Sequence, residues 1–213
     1  MLKALFSITC AAIVLTMRSH SVIIAESGNP PGAFREEFNN RLTVELHKRV
    51  FGEPFHRTRY LNEMLDKTTT PFVVNHDADV ILTRTSVIAA MDYLRCIDIV
   101  DCVYPYGHGI NQLRVYDKNT QPIDRLILHG SMHHMLMSPG RGWMTWTAAY
   151  GHSIFFRTKS YKRMHGENEE FISWGAEDVE RYIRMVKFGF QIARVDDYVA
   201  HLEHPRGADS SIT

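Results

Sequence analysis

The segment from Pro71 to Leu82 constrains the fold more than any other part of the chain. Its apolar run Phe-Val-Val is followed by Asn-His-Asp-Ala-Asp, and the apolar character then resumes. Side chains alternate along a strand, so Asp77 and Asp79 are expected on the same side. Two carboxylates at the end of a buried strand repel each other unless a cation joins them. Because Mg²⁺ and Mn²⁺ prefer oxygen ligands and often bind with phosphates, the segment predicts a metal–diphosphate site, with a solvated loop as the alternative.

The composition places the chain among ordinary globular proteins. With 213 residues, of which 45% are apolar, it can bury a substantial core as one domain without disulfides. The formal net charge of 0 gives no bulk attraction to nucleic acid or to an anionic membrane. Cys10, Cys96 and Cys102 have no zinc-binding spacing and cannot all pair with one another, which favours a reducing, cytoplasmic compartment.

The N-terminus allows two interpretations. Residues 1–15 combine one lysine with an apolar run, as a secretory signal peptide would. The alternative is a buried strand near Ala4–Thr9 followed by a short helix near Cys10–Arg18. We favour the alternative because the chain runs directly into another core strand at Ser21–Ala25. No later stretch approaches the roughly 18 uncharged apolar residues of a membrane span, so no transmembrane segment is expected.

Strands and helices alternate along the rest of the chain. Apolar periodicity predicts helices over 55–65, 85–95 and the residues after Trp174, where Val179, Tyr182, Ile183 and Val186 recur at helical spacing. Strands are predicted over 71–82, 97–104, 125–128, the residues before Arg157, and 190–194, while Leu42–Leu46 fits either a strand or a helix. Residues 106–142 are expected to be irregular and the tail 200–207 turn-rich. This order predicts an α/β sandwich with a mixed, mainly parallel central sheet.

Two further pairs could contribute to chemistry. Arg57 and Arg59 begin the helix that precedes the aspartates, and guanidinium forks suit phosphate groups. Glu177 and Asp178 open a later helix, where the helix dipole stabilises carboxylates, and Trp174 beside them offers a flat surface for a sugar ring. The competing interpretations are a solvated helix face for the arginines and a simple helix cap for the acids.

Two histidines near the C-terminus are candidate metal ligands. His201 and His204 lie in the segment His-Leu-Glu-His-Pro. Imidazole is a common ligand for transition metals, although a histidine at this position is also compatible with an ordinary surface residue.

Taken in chain order, these segments resemble the GT-A-fold nucleotide-sugar glycosyltransferases, above all the β-1,4-galactosyltransferase and chondroitin polymerase branch. Residues 174–178, Trp-Gly-Ala-Glu-Asp, match the W-G-x-E-D motif, which is the most specific element. Residues 75–79 lie where the D-x-D motif falls. Residues 55–62 are similar to that branch's Phe-Asn-Arg-Ala-Lys-Leu-Leu-Asn segment, and residues 151–157 to its Gly-Gly…Phe-Arg strand. Residues 201–205 resemble the segment that gives a metal-ligand histidine.

The resemblance implies a GT-A, Rossmann-like α/β/α sandwich. It implies that residues 1–213 form a single glycosyltransferase domain, with a nucleotide-binding half over 1–105 and a half that binds donor sugar and acceptor over 106–213. The chain is expected to be compact and without a membrane stem, and in this it resembles the soluble glycosyltransferase domains encoded by some large algal viruses.

The resemblance also implies the composition of a metal site. A Mn²⁺ or Mg²⁺ ion would be held by Asp79, by Asp77 directly or through water, and by His201, with His204 as the second choice.

The implied reaction moves a sugar from a UDP-sugar to a hydroxyl of a glycan acceptor, with inversion at the anomeric carbon. Asp178 would be the general base, and Glu177 would position the sugars. The donor would contact Asp77 and Asp79 together with four other residues: Glu26, Arg57, Gly151 and Trp174.

The chain departs from the family pattern in three places. Only Cys10–His20 is available for the helix expected after strand one, which is shorter than in the family. His152 stands in place of the second glycine of the Gly-Gly strand, and residues 165–168 read His-Gly-Glu-Asn instead of Gly-Gly-Phe-Asp. Two alternative functions stay open. A nucleotidyltransferase would more typically carry a glycine-rich phosphate loop, which the sequence lacks. A non-catalytic protein that binds carbohydrate or nucleotide-sugar on the same fold is the other.

Overall fold

The computed structural model describes residues 11–16, 21–26, 43–46, 56–77, 79–108, 112–116, 142–143, 150–172 and 176–203. The chain divides into two compact units that interleave along the sequence. The first unit comprises Met1–Ala78, Arg157–Phe188 and Arg206–Thr213, and the second comprises Asp79–Phe156 and Gly189–Pro205. The functional division expected at residue 105 stays a prediction.

The first unit contains four described strands: β1 (Ala11–Thr16), β2 (Ser21–Glu26), β3 (Thr43–Leu46) and β4 (Phe72–Asp77). The strand β1 pairs antiparallel with both β2 and β4, and β2 pairs parallel with β3. The side chains at the centre of β4 are buried, and the exposure increases towards its end at Asp77. A buried strand therefore carries the first aspartate to the end of the sheet, as the sequence predicts.

Three helices belong to this unit: α1 (Arg57–Lys67), α3 (Thr158–Arg163) and α4 (Glu177–Lys187). The helix α1 buries one face, made of Thr58, Leu61, Met64 and Leu65. This confirms the predicted apolar face of that helix, since the same leucines and methionine lie at helical spacing. The helix ends where the Thr68 hydroxyl donates a hydrogen bond to the Met64 carbonyl at 2.8 Å.

The helix α4 is confirmed, but its polar side is the buried one. The side chains of Glu177, Arg181 and Met185 are buried, whereas Ile183 and Val186 are 48% and 54% exposed. Arg181 forms ion pairs with Glu167 and Asp178 on the inner side of the helix. These contacts outweigh the tendency of the apolar residues to face the interior.

The second unit contains two groups of strands. In the first, β6 (Cys102–Tyr104) pairs parallel with β10 (Ile192–Arg194) and antiparallel with β9 (Ser153–Arg157). The helix α2 (Arg84–Cys96) is capped by Thr83, whose side-chain oxygen accepts a hydrogen bond from the Ser86 backbone N–H at 2.9 Å.

A small sheet forms the second group. It contains β5 (Val80–Leu82), β7 (Gln112–Tyr116), β8 (Gly142–Trp143) and β11 (Val199–Glu203). The strand β11 pairs antiparallel with β5 and parallel with β7, and β7 pairs antiparallel with β8. The segment after Asp77 is thus a second strand that begins at Val80, and not a continuation of β4.

Three predictions of local structure are wrong. Residues 106–142, expected to be irregular, contain the strand β7, which pairs with β8 and β11. The segment Cys10–Arg18, predicted as a helix, contains the strand β1. Its Ile-Val-Leu-Thr run favours extended structure, and β2 follows after four residues as an antiparallel partner. The tail after Ala200, predicted as turns, begins with most of β11, because β5 and β7 provide partners on both sides. The strands predicted at Ala4–Thr9 and at 125–128 lie outside the described residues.

The α/β class and the mixed sheet are confirmed. Antiparallel pairing takes a larger share than expected among the described strands, because β1 runs opposite to both of its neighbours and β5, β8 and β9 each pair antiparallel. Within the part of the chain that the structure describes, no helix is long and apolar enough to cross a membrane.

Two glycines allow a paired test of the local backbone. Gly166 and Gly189 both have positive φ angles, of 65° and 71°. A Cβ added at Gly166 would overlap the Asn62 Oδ1 atom, whereas nothing lies within 4 Å of one added at Gly189. Gly189→Ala should lower the free energy of unfolding by about 1 kcal/mol, the cost of a left-handed non-glycine residue. Gly166→Ala should lower it by at least about 2 kcal/mol, because a steric clash adds to that cost. Urea denaturation would measure both, and equal losses would contradict the packing described here.

Candidate active site

Arg57 lies at the centre of an ionic cluster in the first unit. Its Nη2 donates to Asp77 Oδ1 at 2.7 Å, and its Nη1 lies 3.5 Å from Asp178 Oδ1 and 3.8 Å from Glu177 Oε1. Three element ends supply these groups: the first residue of α1, the last residue of β4 and the first turn of α4. We call these four residues, with Arg181, the arginine–acid cluster.

The surroundings of Arg57 keep its guanidinium charged. Burial alone would lower the pKa of Arg57, but the carboxylates of Asp77 and Asp178 outweigh burial and hold the pKa above its ordinary value. The Nη1 atom is buried and makes no hydrogen bond to any described residue, although carboxylates lie nearby. Since a buried donor without a hydrogen bond is costly, this atom is suited to a ligand that carries an oxygen acceptor.

A second guanidinium approaches Asp178 from within its own helix. Arg181 Nη2 donates to Asp178 Oδ1 at 2.7 Å, and Arg181 Nη1 donates to Glu167 Oε1 at 3.1 Å. The side chains of Arg181 and Glu167 are each only 1% exposed, whereas that of Asp178 is 26% exposed. The buried ion pair therefore ends in a carboxylate that solvent can reach.

Two more buried side chains complete the surroundings of Glu167. The Tyr161 hydroxyl donates to Glu167 Oε1, and Asn75 Nδ2 donates to the Tyr161 hydroxyl at 2.7 Å. Burial raises the pKa of Tyr161 well above its ordinary value, and the charge of Glu167 raises it further. Tyr161 therefore stays a hydrogen-bond donor at neutral pH.

In the second unit, Asp79 and His201 face each other. Asp79 Oδ2 lies 3.3 Å from His201 Nε2, and both side chains are about one quarter exposed. Backbone pairing fixes this arrangement, because β11 pairs with β5 next to Asp79 and the Leu202 N–H donates to the Asp79 carbonyl at 2.7 Å.

The Asp79–His201 pair has the donor atoms that a divalent cation needs. Two atoms that share one octahedral ion at about 2.1 Å lie about 3 Å apart, close to the observed separation. A carboxylate with an imidazole suits Mn²⁺. Among the described residues no group of three His, Cys, Asp or Glu side chains converges on one point, so this pair would need further ligands from elsewhere.

His152 places a second imidazole ring near this pair. Its ring centroid lies 5.4 Å from that of His201 and 5.7 Å from that of Tyr106, whose hydroxyl donates to the Gly151 carbonyl at 2.6 Å. The φ angle of His152 is 64°, so the backbone keeps the left-handed conformation typical of glycine. The substitution of glycine noted in the sequence thus puts an imidazole beside His201 without removing the turn.

Most of the predicted site residues that the structure describes fall into two separate groups. Arg57, Asp77, Glu177 and Asp178 lie together in the first unit, and Asp79 lies against His201 in the second. Arg59 instead pairs with Glu63 along α1 at 3.0 Å, as expected of a solvated helix face. Glu26 is the last residue of β2. Trp174 and His204 lie outside the described residues.

Three residues of the site were not predicted: Tyr161, Glu167 and Arg181. For Glu167 the sequence does carry a signal, because residues 165–168 replace the apolar residue of the family pattern with glutamate. A buried carboxylate requires a cationic or hydrogen-bonding partner, and that requirement points to Arg181 and Tyr161 only once the fold is known.

Comparison with known proteins finds a family model that matches part of the chain. Residues 133–206, about a third of the chain, match the family model described as the N-terminal domain of galactosyltransferase. The matched segment includes the start of α4 with Glu177 and Asp178 and the strand with His201. The resemblance predicted from the W-G-x-E-D motif is therefore confirmed for this segment. No curated protein matches the sequence significantly.

Among solved structures, the chain is similar to the catalytic domain of Drosophila β1,4-galactosyltransferase 7 in complex with xylobiose, with 17% identity and a TM-score of 0.45. A point mutant of that Drosophila enzyme, in complex with manganese, UDP-Gal and xylobiose, gives 16% identity and the same TM-score. Each similarity covers 76% of this chain and 58% of the other. The chain thus spans little more than half the length of these neighbours.

The raised pKa of Tyr161 has a consequence for stability at high pH. In the unfolded chain the phenol ionises near pH 10, whereas in the folded protein it holds its proton to higher pH. The stabilising contribution is therefore complete below pH 10 and is lost as the pH rises through the folded-state pKa. In the variant Tyr161→Phe, the free energy of unfolding should fall less steeply than in the wild type as the pH rises above 10. Urea titrations at several pH values would measure the slope, with Tyr93→Phe, at an exposed tyrosine, as the control. Equal slopes in all three proteins would contradict the prediction.

Proposed function

We propose that the protein is a metal-dependent glycosyltransferase that moves a sugar from a UDP-sugar to a hydroxyl of a glycan acceptor. The observation that carries the proposal is the position of Asp178 within the segment that matches the galactosyltransferase family model. There its carboxylate is partly exposed, next to the guanidinium of Arg57 and one helix turn from the buried Arg181. An acid and a donor for phosphate oxygens in one cluster support sugar transfer from a nucleotide.

A cation is part of the proposal. Asp79 and His201 would hold a Mn²⁺ or Mg²⁺ ion, with Asp77 as a further ligand and His204 as the second choice for the histidine. When bound, such an ion stabilises the negative charge of a departing diphosphate. The spacing and chemistry of the Asp79–His201 pair support this assignment.

Arg57 is proposed to bind the diphosphate of the donor. Its Nη1 atom is buried without a hydrogen bond, and Asp77 holds the other terminal nitrogen at 2.7 Å. A guanidinium fixed on one side presents the remaining N–H groups in a defined direction, which favours phosphate oxygens. Glu177, buried and 3.8 Å from Arg57 Nη1, would contribute to that orientation as well as to positioning the sugars.

The proposed transfer begins with attack by the acceptor hydroxyl oxygen on the anomeric carbon. A new carbon–oxygen bond forms, and the bond to the donor phosphate oxygen breaks with its electron pair on the leaving UDP. The hydroxyl proton passes to the Asp178 carboxylate, which acts as general base. Direct displacement of this kind inverts the anomeric configuration, and product NMR would report it.

The remaining donor contacts are proposed from the sequence motifs. Glu26 ends a strand of the first unit, and Gly151 is held by the Tyr106 hydroxyl in the second. Together with Trp174 they are assigned to the nucleoside and the donor sugar. Galactose is the natural first donor sugar to test because the family model is that of a galactosyltransferase.

Removal of a cation ligand should weaken metal binding directly. His201→Ala and Asp79→Asn should each lower the affinity for Mn²⁺ at least about tenfold, because each removes one of the two facing donor groups. Electron paramagnetic resonance of free Mn²⁺ in the presence of UDP would measure binding without any need for turnover. His108→Ala, at an exposed histidine of the same unit, is the control. Wild-type affinity in both ligand variants would remove the metal assignment.

Loss of the base should affect turnover more than binding. Asp178→Asn should lower kcat by roughly 10²- to 10⁴-fold while the affinity for UDP stays within a few-fold, since the amide cannot accept the hydroxyl proton. The assay would follow UDP release from UDP-galactose and Mn²⁺ with a panel of glycan acceptors that includes xylobiose. UDP binding without transfer by the wild-type protein would instead indicate a non-catalytic binding protein, and unchanged kcat in the variant would assign Asp178 to a helix cap.

A further inference from the structure

We propose that Arg181, anchored by Glu167, is a positioning residue that keeps Asp178 from forming a direct hydrogen bond with Arg57. The inference rests on the proposed function of Asp178 as the base and of Arg57 as the ligand for the diphosphate. Asp178 and Arg57 form an ion pair at 3.5 Å, and without a competing partner they would close into a directly hydrogen-bonded pair. Such a pair would occupy the base and the phosphate donor at the same time.

The distances show which arginine holds the carboxylate. Asp178 Oδ1 accepts a hydrogen bond from Arg181 Nη2 at 2.7 Å, whereas Arg57 Nη1 stays 3.5 Å away. The same Nη1 is buried and makes no hydrogen bond to a described residue. Arg181 therefore satisfies the carboxylate while Arg57 keeps an N–H that a phosphate oxygen can use.

Arg181 is itself fixed in place by Glu167. Both side chains are 1% exposed and lie 3.1 Å apart, and Tyr161 donates a second hydrogen bond to the same Glu167 oxygen. The backbone of Glu167 is held as well, because its N–H donates to Asn62 Oδ1 at 2.7 Å and its carbonyl accepts from Asn62 Nδ2 at 3.0 Å. The anchor is thus tied to α1, the helix that begins with Arg57.

Stability alone does not account for this arrangement. Two charges that are almost completely buried lose their hydration, and an apolar pair of similar size is often as stable or more stable. In addition, burying Arg181 turns α4 so that Ile183 and Val186 remain about half exposed. The fold keeps the charged pair despite the lost hydration and the exposed apolar residues. This is consistent with a need to hold the Asp178 carboxylate in one position.

The test removes the anchor without leaving a buried charge. In the double variant Arg181→Met with Glu167→Gln both charges are absent, so the fold should be retained with unfolding free energy close to that of the wild type. Asp178 should then form a direct hydrogen bond with Arg57, and kcat with UDP-galactose and Mn²⁺ should fall on the order of 10²-fold, the usual effect of a misplaced catalytic group. The affinity for UDP should fall several-fold in the same variant, because Arg57 is now occupied.

Two further variants distinguish positioning from general packing. Arg181→Lys should give intermediate kcat, because an ammonium can approach Glu167 or Asp178 but lacks the fork that joins both. Glu180→Gln removes a carboxylate of the same helix. In the described geometry that carboxylate accepts a hydrogen bond from Arg184 at 2.8 Å and not from Arg181 or Arg57, so kcat should be unchanged. A crystal structure of the double variant would show directly whether Asp178 has moved to Arg57.

The outcomes separate this inference from the proposed function. If the wild-type protein neither binds UDP nor transfers sugar, the proposed function fails, and the Asp178–Arg57 distance in the double variant still reports on the role of Arg181. If the wild-type protein is active and the folded double variant retains kcat within twofold, with Asp178 still apart from Arg57, the positioning role is wrong. A lowered kcat with a shortened Asp178–Arg57 distance supports it.

Discussion

The contact between Arg57 and Asp77 is the interaction on which the rest of the candidate site depends. It joins the first residue of α1 to the last residue of β4, and in this way fixes where the helix begins relative to the end of the strand. With the guanidinium held there, the first turn of α4 can bring two more carboxylates close without strong mutual repulsion. The acids of the cluster are thus compatible with one another because a permanent positive charge lies between them.

A second set of polar contacts is buried in the same unit. Arg181, Glu167 and Tyr161 occupy space that an ordinary amphipathic helix would fill with apolar side chains. Their bonds are directional, so they specify where Asp178 lies more narrowly than packing of apolar groups would. The orientation of α4 follows from these polar contacts, and the half-exposed apolar residues on its outer side are the visible result.

Local sequence patterns predict a large part of this structure. The apolar spacing of α1 and the glycine after α4 identify both helices, and the run before Asp77 identifies a buried strand, because these signals depend only on neighbours in the chain. The W-G-x-E-D motif likewise places Glu177 and Asp178 at a helix start. The contact of Arg57 with Asp77 spans 20 residues, and nothing in either segment alone specifies it.

The failures have a common physical cause. Residues after Cys10 were predicted as a helix because their apolar run is ambiguous without a partner, and the pairing of β1 with two strands decides in favour of extended structure. The tail after Ala200 was predicted as turns for the same reason, since β5 and β7 lie far away in sequence. Glu167 and Arg181 form their ion pair only because the tertiary fold brings the two side chains close together.

The small sheet that contains β5 and β11 has a consequence for any ion that binds there. Asp79 and His201 are held opposite each other only while these two strands remain hydrogen-bonded, so coordination and strand pairing are thermodynamically linked. An ion bound by both residues would suppress local opening of β11, and the amide protons of that strand would exchange more slowly with solvent. In the opposite direction, any change that loosens this pairing would release the ion before the protein as a whole unfolds.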